Sequence, residues 1–154
     1  MNVLSVKKVL KEHNLIDEFL EFETSSATVE LAAKAVGCEK GRIAKTLTFK
    51  ISGSPIAIVV MGEAKVDNKK FKETFGEKAK FLKSEEVLEM IGHPIGGVCP
   101  FALKEEVKIY LDESLKKFNP IYPAAGAPNN AVKITLEQLE TITKGKWVDV
   151  CKIE

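Results

Sequence analysis

Two periodicities of apolar and polar residues predict helices and strands along the chain. Apolar positions recur every three or four residues at 3–10, 28–36 and 67–75, in the segment opened by Ser84 and in the segment capped by Thr135. Gly37 and Gly76 follow two of these segments, where glycine commonly ends a helix. Extended segments are predicted at 19–22, 43–51, 56–61, 80–82, 107–111, 121–122, 131–134 and 147–150.

The order of these elements predicts the fold class. Residues 56–61 form a continuous apolar run, which is typical of a strand buried on both faces, and the turn at 52–55 joins it to the strand before it. Helices and strands alternate, yet connections of hairpin length also occur. We therefore expect an α/β fold (α+β type) in a single domain over residues 1–154. Its sheet is expected to be mixed, mainly antiparallel and barrel-like, with helices packed around it.

Composition narrows the classes of function. The 154 residues include 23 Lys and Arg and 22 Asp and Glu, which gives a net charge of +1. This balance excludes a strongly basic nucleic-acid-binding protein of the histone type. Arg42 is the only arginine, which argues against a binder built on arginine clamps. Anion recognition is therefore expected from lysines, backbone N–H groups or helix N-termini.

Cysteine usage and hydropathy indicate a reducing compartment. Cys38, Cys99 and Cys151 stand far apart without a CxxC motif, so neither a zinc knuckle nor a disulfide framework is predicted. Histidines and acidic residues do not gather at ligand spacing, and no metal site is expected. No apolar leader and no stretch of about 18 apolar residues occurs, so a cytoplasmic protein is expected.

The segment 92–100, Gly-His-Pro-Ile-Gly-Gly-Val-Cys-Pro, is a candidate functional loop. Its glycines leave backbone N–H groups without side-chain cover, as a site for a carbonyl oxygen or a phosphate requires, and its prolines stiffen the loop. A tight connection between a helix and a strand explains the same composition. Cys99 and His93 could form a nucleophilic pair. The alternative is a small residue packed beneath the loop and a surface histidine.

Lys45 is a second candidate, because it lies in the middle of a predicted strand on the same face as Leu47 and Phe49. An ammonium group among apolar neighbours needs an anion or the mouth of a cleft, unless the side chain reaches solvent near the strand end. Asp112 follows a predicted strand and fits the N-cap of a short helical turn.

Two further segments have open interpretations. The small residues of 124–130 leave space for the wall of a pocket, although any hairpin loop has a similar composition. Residues 65–83 hold seven lysines against three acidic residues. Such a surface can meet a nucleic-acid backbone by charge alone, or it is a solvated helix face.

Taken in order, these segments resemble the YbaK/ProX family of aminoacyl-tRNA deacylases over roughly residues 3–150. The first match is Gly37-Cys38 followed by Ile43-Ala44-Lys45-Thr46-Leu47. The others are Val-Asp-Asn-Lys-Lys-Phe at 66–71, the whole of 92–100, Tyr-Leu-Asp-Glu-Ser-Leu at 110–115 and Tyr-Pro-Ala-Ala-Gly-Ala-Pro-Asn at 122–129.

The resemblance implies hydrolysis of the ester between a wrong amino acid and the 3′-terminal ribose of tRNA. Family members resemble the editing domain inserted in some bacterial prolyl-tRNA synthetases. Lys45 is implied to hold the terminal phosphate or the substrate. Gly96, Gly97 and Val98 are implied to bind the aminoacyl carbonyl through backbone N–H groups. The residues implied to bind substrate are Thr46, Cys99, Pro100, Asp112, Ala125 and Gly126.

The same resemblance implies which partners and cofactors to expect. A tRNA hydroxyl is proposed to help activate water in this family, so no side-chain nucleophile, cofactor or metal is expected. The expected partners are the 3′ acceptor end of aminoacyl-tRNA and an aminoacyl-tRNA synthetase, and no membrane is expected.

Departures from the family pattern leave the amino acid open. Members acting on cysteinyl-tRNA commonly have a serine before the Ala-Gly of the second loop, whereas Ala124 and Ala125 precede Gly126 here. Members acting on alanyl-tRNA tend to carry a histidine near this position, and this chain has none there. A small or hydroxylated amino acid fits this form. Two other functions stay open: a non-catalytic tRNA- or synthetase-binding module of the same fold, and a thiol hydrolase using Cys99.

Overall fold

Side-chain caps and left-handed glycines set the helix boundaries. Thr28, Asp67 and Thr135 accept hydrogen bonds from first-turn backbone N–H groups. Gly37 and Gly76, at φ of 84° and 80°, end two of the same helices. The predicted helices are thereby confirmed. The computed structural model describes residues 2–153, in which helices α1–α5 span Asn2–Glu12, Val29–Val36, Asn68–Phe75, Ser84–Ile91 and Leu136–Thr143.

The strands form a mixed sheet with two small satellite sheets. Within residues 2–153, strands β1–β9 span Phe19–Glu21, Ile43–Ile51, Ser54–Met61, Ala64–Val66, Lys108–Asp112, Tyr122–Pro123, Asn130–Val132, Lys146–Val148 and Cys151–Ile153. The five-stranded sheet has the order β6-β2-β3-β5-β8. The strand pairs β1-β7 and β4-β9 stand apart as antiparallel ladders.

This topology confirms the predicted α/β (α+β type) class with a mixed sheet. The β2-β3 hairpin is antiparallel, as predicted, whereas β6, β5 and β8 all join the sheet in parallel pairings. Antiparallel pairing therefore does not dominate the main sheet. The expected barrel-like closure is not found in residues 2–153, because β6 and β8 stand at opposite edges of the sheet and do not pair with each other.

Short strands account for the remaining differences from the sequence-based expectation. The ladder of β4 with β9 was not predicted. The strand expected at 80–82 is only an isolated bridge, in which Phe81 faces Phe49. Hydrogen bonds from Leu82 N–H to Thr48 O (3.1 Å) and from Lys50 N–H to Lys80 O (2.9 Å) hold this segment against the edge of β2.

The apolar run of β3 lies at the centre of the core. Residues 55–61 are all buried, so the prediction of a strand covered on both faces is confirmed. Val59 packs with Leu111 and Leu139 on one face, while Ile58 and Val60 pack on the other with the aromatic cluster around α3. The sheet is thereby a rigid base for the loops at its edge.

Arg42, the only arginine, holds the turn before β2 in place. Its Nε donates to Glu39 Oε1 at 3.0 Å, and a terminal nitrogen donates to the carbonyl oxygen of Pro120 at 3.0 Å. The guanidinium also lies over the Phe118 ring, 5.1 Å from its centroid. The arginine is therefore used within the fold.

Asp112, at the end of β5, connects two segments that are distant in sequence. Its side chain is 1% exposed, and its oxygens accept the N–H groups of Ser114 (2.9 Å) and Val150 (2.8 Å). The predicted N-cap role is confirmed, because a 3-10 turn at Glu113–Lys117 starts from this residue. Both oxygens are thereby committed to the backbone.

We predict that Asp112→Ala lowers the free energy of unfolding by about 2–4 kcal/mol, because two buried N–H groups lose their acceptor. Urea denaturation followed by circular dichroism measures the change. Asp17→Ala, at an exposed site, is the control and should change the value by less than about 0.5 kcal/mol. A variant of wild-type stability that lost activity would instead favour the substrate-binding role implied by the sequence.

Candidate active site

A cleft of about 280 Å³ opens at the edge of β2 and brings several predicted segments together. β6 pairs with β2 only at Ile43 and Ala44, and the segment 80–82 covers β2 from Thr48 onward. No described strand pairs with this edge of β2 at residues 45–47. The cleft lies over that gap, and the residues lining it include Ser26, Lys45, Thr46, Gly96, Val98 and Ala124.

Lys45 contributes a half-buried ammonium group to the cleft. Burial lowers the pKa of Lys45, and the positive charge of Lys65 adds to this shift, whereas Cys151 and the negative charge of Glu30 oppose it. Among residues 2–153, the ammonium group has no hydrogen-bond or ion-pair partner. A partly desolvated cation without a direct ion-pair partner is a site where a bound anion gains binding energy.

The glycine loop of residues 92–100 packs against the loop of residues 124–130 backbone to backbone. A Cβ atom at Gly97 would lie 2.8 Å from the Ala127 N and Cα atoms and from the Gly126 carbonyl carbon. Only glycine allows this approach. Gly96, at φ of 86°, turns the chain toward the cleft.

The hydrogen bonds of the glycine loop separate its amides into two groups. The N–H group of Gly97 donates to Pro94 O at 3.0 Å, so it is engaged within the loop. The N–H groups of Gly96 and Val98, two residues that line the cleft, have no hydrogen-bond partner among residues 2–153. Of the three amides implied by the family resemblance, these two are therefore not engaged by the described part of the chain.

Asn130 fixes the opposite wall of the cleft and was not identified from the sequence. It is 2% exposed, accepts the N–H group of Ala125 at 2.9 Å and donates to the carbonyl of Ala125 at 3.2 Å. Ala125 itself is fully buried, and it and Gly126 lie behind the lining residue Ala124. The sequence signal that could have identified Asn130 is its position as the first, polar residue of a strand directly after the loop of small residues.

Cys99 and Pro100, the last two residues of the glycine loop, are buried and do not line the cleft. The Cys99 sulfur is fully buried, 3.5 Å from His93 Nε2, so the structure brings this predicted pair together. Burial raises the pKa of Cys99 to about 12 and lowers that of His93, which donates through Nε2 to Phe101 O. The hypothesis of a Cys99 nucleophile is wrong for this structure, because the thiol stays protonated and away from the cleft.

Two hydroxyl groups of the cleft residues lack partners. Ser26 Oγ and Thr46 Oγ1 are buried without a hydrogen bond among the described residues. Both residues line the cleft, and Ser26 is 9% exposed. Unpaired buried hydroxyl groups are costly, and they cluster where a ligand supplies the missing partner.

The structure thus brings Lys45, Thr46, Gly96 and Val98 into one cleft. Gly97 and Gly126 take part in the contact between the two loops, and Ala125, Cys99 and Pro100 are buried outside the cleft lining. Asp112 does not line the cleft. The roles of these residues toward substrate stay predictions.

Comparison with known proteins gives the class to which this fold and cleft belong. The family of aminoacyl-tRNA editing domains matches residues 23–142, and the chain belongs to this family.

Individual relatives cover nearly the whole chain. The chain is 47% identical over 154 residues to “Uncharacterized protein YwhH” of Bacillus subtilis, covering 99% of this chain and 98% of that protein. It is 26% identical over 147 residues to “Putative Cys-tRNA(Pro)/Cys-tRNA(Cys) deacylase EbsC” of Enterococcus faecalis, covering 93% and 90%. A crystal structure titled as that of “a putative trans-editing enzyme for prolyl tRNA synthetase” superposes with a TM-score of 0.88 at 28% identity, covering 98% and 97%.

Two features are absent from the described residues. No helix within residues 2–153 combines the length and apolarity needed to cross a membrane. In the same range, no group of three or more His, Cys, Asp or Glu side chains is placed to hold a metal ion.

We predict that a disulfide thiol reagent at pH 8 labels about one thiol of the native protein quickly. Burial raises the pKa of Cys99 and of Cys151 to about 12, so only about 1 in 10⁴ of either is thiolate. Cys38 is only half-buried. The released chromophore is measured before and after denaturation, and Cys38→Ser should remove the fast phase. Fast labelling of Cys99 would mean that the glycine loop opens.

We predict that Thr46→Val raises the free energy of unfolding by about 1 kcal/mol, because it keeps the side-chain shape and removes a buried, unpaired hydroxyl group. Urea denaturation measures the change. Thr135→Val is the matched control, since its hydroxyl caps α5 and its loss should cost about 1 kcal/mol. Destabilisation by Thr46→Val would contradict the assignment of an unpaired hydroxyl.

Proposed function

We propose that the protein hydrolyses the ester of mischarged aminoacyl-tRNA as a trans-acting editing enzyme, with residues 1–154 acting as one editing domain. The observation that carries the proposal is the unpaired Lys45 ammonium in the same cleft as the open amides of Gly96 and Val98. A cation that shares a cleft with two unpaired N–H donors fits the 3′ end of aminoacyl-tRNA, where a phosphodiester lies next to an ester. Membership in the editing-domain family supports the same reaction class.

In the proposed reaction, Lys45 binds the phosphate before the terminal ribose. The N–H groups of Gly96 and Val98 donate to the ester carbonyl oxygen, where negative charge develops. The oxygen of water bonds to the carbonyl carbon, the bond from that carbon to the ribose oxygen breaks, and a proton passes to the ribose oxygen. The neighbouring ribose hydroxyl orients the water. Each preorganised donor of this kind contributes about 3–4 kcal/mol to transition-state stabilisation.

The other predicted residues have positioning roles in this proposal. Thr46 binds the substrate from the strand edge, and Ala125 and Gly126 set the far wall. Cys99 and Pro100 anchor the end of the glycine loop in the core. Gly97 allows the two loops to touch and does not donate to the substrate, because its N–H group is engaged with Pro94.

The lining of the cleft favours a small, polar amino acid. The cleft has a volume of about 280 Å³, and the unpaired hydroxyl groups of Ser26 and Thr46 belong to its wall. A site that must pair buried polar groups discriminates strongly against a ligand that cannot pair them. A hydroxylated amino acid is therefore the preferred substrate in this proposal.

Partners and location follow from the same function. The near-neutral net charge favours weak intrinsic affinity for tRNA, so an aminoacyl-tRNA synthetase is the proposed partner that supplies the substrate. The proposed location is the cytoplasm, where aminoacyl-tRNA is made and used. The alternative is a non-catalytic module that binds tRNA or a synthetase through the same cleft.

We predict that Lys45→Met lowers kcat/KM for deacylation by about 100-fold or more, because the phosphate loses its only ammonium contact in the cleft while the aliphatic stem is kept. The assay measures free amino acid released from mischarged alanyl-, cysteinyl-, seryl- and threonyl-tRNA. Seryl- or threonyl-tRNA is expected to be the best substrate.

Two comparisons make the result decisive. Lys34→Ala removes an exposed lysine outside the cleft and should retain wild-type rates. Lys45→Met should unfold at the same urea concentration as wild type or a higher one, because it removes a partly desolvated charge. Equal, measurable rates for wild type and Lys45→Met would overturn the proposed role of Lys45. Wild type that binds these tRNAs and releases no amino acid would favour the non-catalytic module.

A further inference from the structure

A second groove, which we call the side groove, lies across Lys45 from the cleft. Its volume is about 370 Å³, and its lining includes Lys45, Leu47, Lys65, Asn68, Ala79 and Phe81. Lys45 lines both the cleft and the side groove. An extended ligand that leaves the cleft past the Lys45 ammonium group therefore enters the side groove.

We propose that the side groove binds the penultimate nucleotide of the tRNA 3′ end, with its base stacked on Phe81. The inference rests on the proposed function, in which Lys45 holds the phosphate that joins the last two nucleotides. The terminal nucleoside and its amino acid then lie on the cleft side of Lys45. The preceding nucleotide lies on the other side, in the side groove.

Phe81 has the features of a stacking platform. Its side chain is 56% exposed, which is unusual for an aromatic residue that is also held firmly. The ring packs on the buried Phe49 ring with centroids 4.5 Å apart, and its backbone bridges to the same residue. Hydrogen bonds of Lys80 and Leu82 to β2 fix the segment on both sides. One ring face is thus presented to solvent in a fixed orientation.

Charge around the side groove favours RNA over an apolar protein segment. Lys65 lies close enough to Lys45 that its positive charge contributes to the lowered pKa of Lys45. Lys78, Lys80 and Lys83 are exposed on the chain around Phe81. Lysines beside an exposed aromatic ring are the combination that single-stranded nucleic acids bind.

Asn68 adds a polar group suited to a base edge. It is exposed at the first position of α3 and lines the side groove. The first-turn N–H groups of Lys69 and Lys70 are already accepted by Asp67, so the amide side chain is the polar group offered there. Unstacked bases at RNA ends are recognised by this pairing of an aromatic face with amide hydrogen bonds.

The experiment compares Phe81→Ala, Phe81→Leu and Phe81→Trp with wild type on the mischarged tRNA that the protein hydrolyses best. We expect Phe81→Ala and Phe81→Leu to raise KM about 5- to 150-fold, the range given by a stacking contribution of roughly 1–3 kcal/mol, with kcat unchanged. Phe81→Trp should keep the wild-type KM. Leu88→Ala, which removes a side chain that is 58% exposed and lines neither site, is the matched control and should have no effect.

A binding measurement separates this proposal from the proposed function. The trinucleotide 5′-CCA-3′ and adenosine 5′-monophosphate are titrated into the full chain, and amide shifts are followed by NMR. In wild type, the trinucleotide should shift the amide signals of Asn68 and Phe81. In Phe81→Ala it should not shift the amide signal of Asn68. The mononucleotide should leave both signals of wild type unchanged. If no tRNA is hydrolysed but these shifts occur, the proposed function fails and the side groove stands.

Other outcomes overturn the side groove. A wild-type KM in both Phe81→Ala and Phe81→Leu, with deacylation intact, removes the stacking role and leaves the proposed function in place. A KM that is normal in Phe81→Leu and raised in Phe81→Ala assigns Phe81 to apolar packing. If the trinucleotide causes no amide shifts at the side groove, the proposed nucleotide site is wrong. If wild type captures a synthetase and Phe81→Ala does not, this surface binds a protein.

Discussion

The close contact between Gly97 and the Gly126–Ala127 backbone is the constraint on which the site depends. At 2.8 Å from a Cβ position, there is no room for any side chain, so the two loops touch through main-chain atoms. Asn130 holds the second loop through both polar groups of Ala125, and Pro94 accepts the Gly97 amide. Because both loops are held in this way, the amides of Gly96 and Val98 keep a fixed direction without any ligand.

The cleft carries several features that stabilise no part of the fold. Among residues 2–153, Lys45 has a partly desolvated charge without a direct ion pair, and Ser26 and Thr46 have buried hydroxyl groups without partners. Each of these is unfavourable in the free protein, and they occur together at an uncovered strand edge. Proteins accept such costs at sites where a ligand removes them, and this is the physical reason to regard the cleft as functional.

The sequence predicted the elements that local chemistry determines and missed those that depend on distant partners. Thr28, Asp67 and Thr135 gave correct helix starts because a cap acts within one turn. The ladder of β4 with β9 was missed because three-residue strands have too little periodicity and their pairing spans most of the chain. In the site, Lys45 and the glycine loop could be identified from their residue types. The hydrogen bond of the Gly97 amide and the two hydrogen bonds between Asn130 and Ala125 depend on tertiary geometry, so the sequence did not indicate them. Asp112 matched a family motif and proved to be tied to Ser114 and Val150.

The use of Arg42 within the fold has a consequence for RNA selection. With the guanidinium committed to Glu39, Pro120 and Phe118, the chain has no forked cation to read guanine edges or to grip paired phosphates. The remaining cations are lysines, which act as point charges and are indifferent to base identity. Under the proposed function, the enzyme would accept the common 3′ terminus of many tRNA species and would choose among them by the attached amino acid.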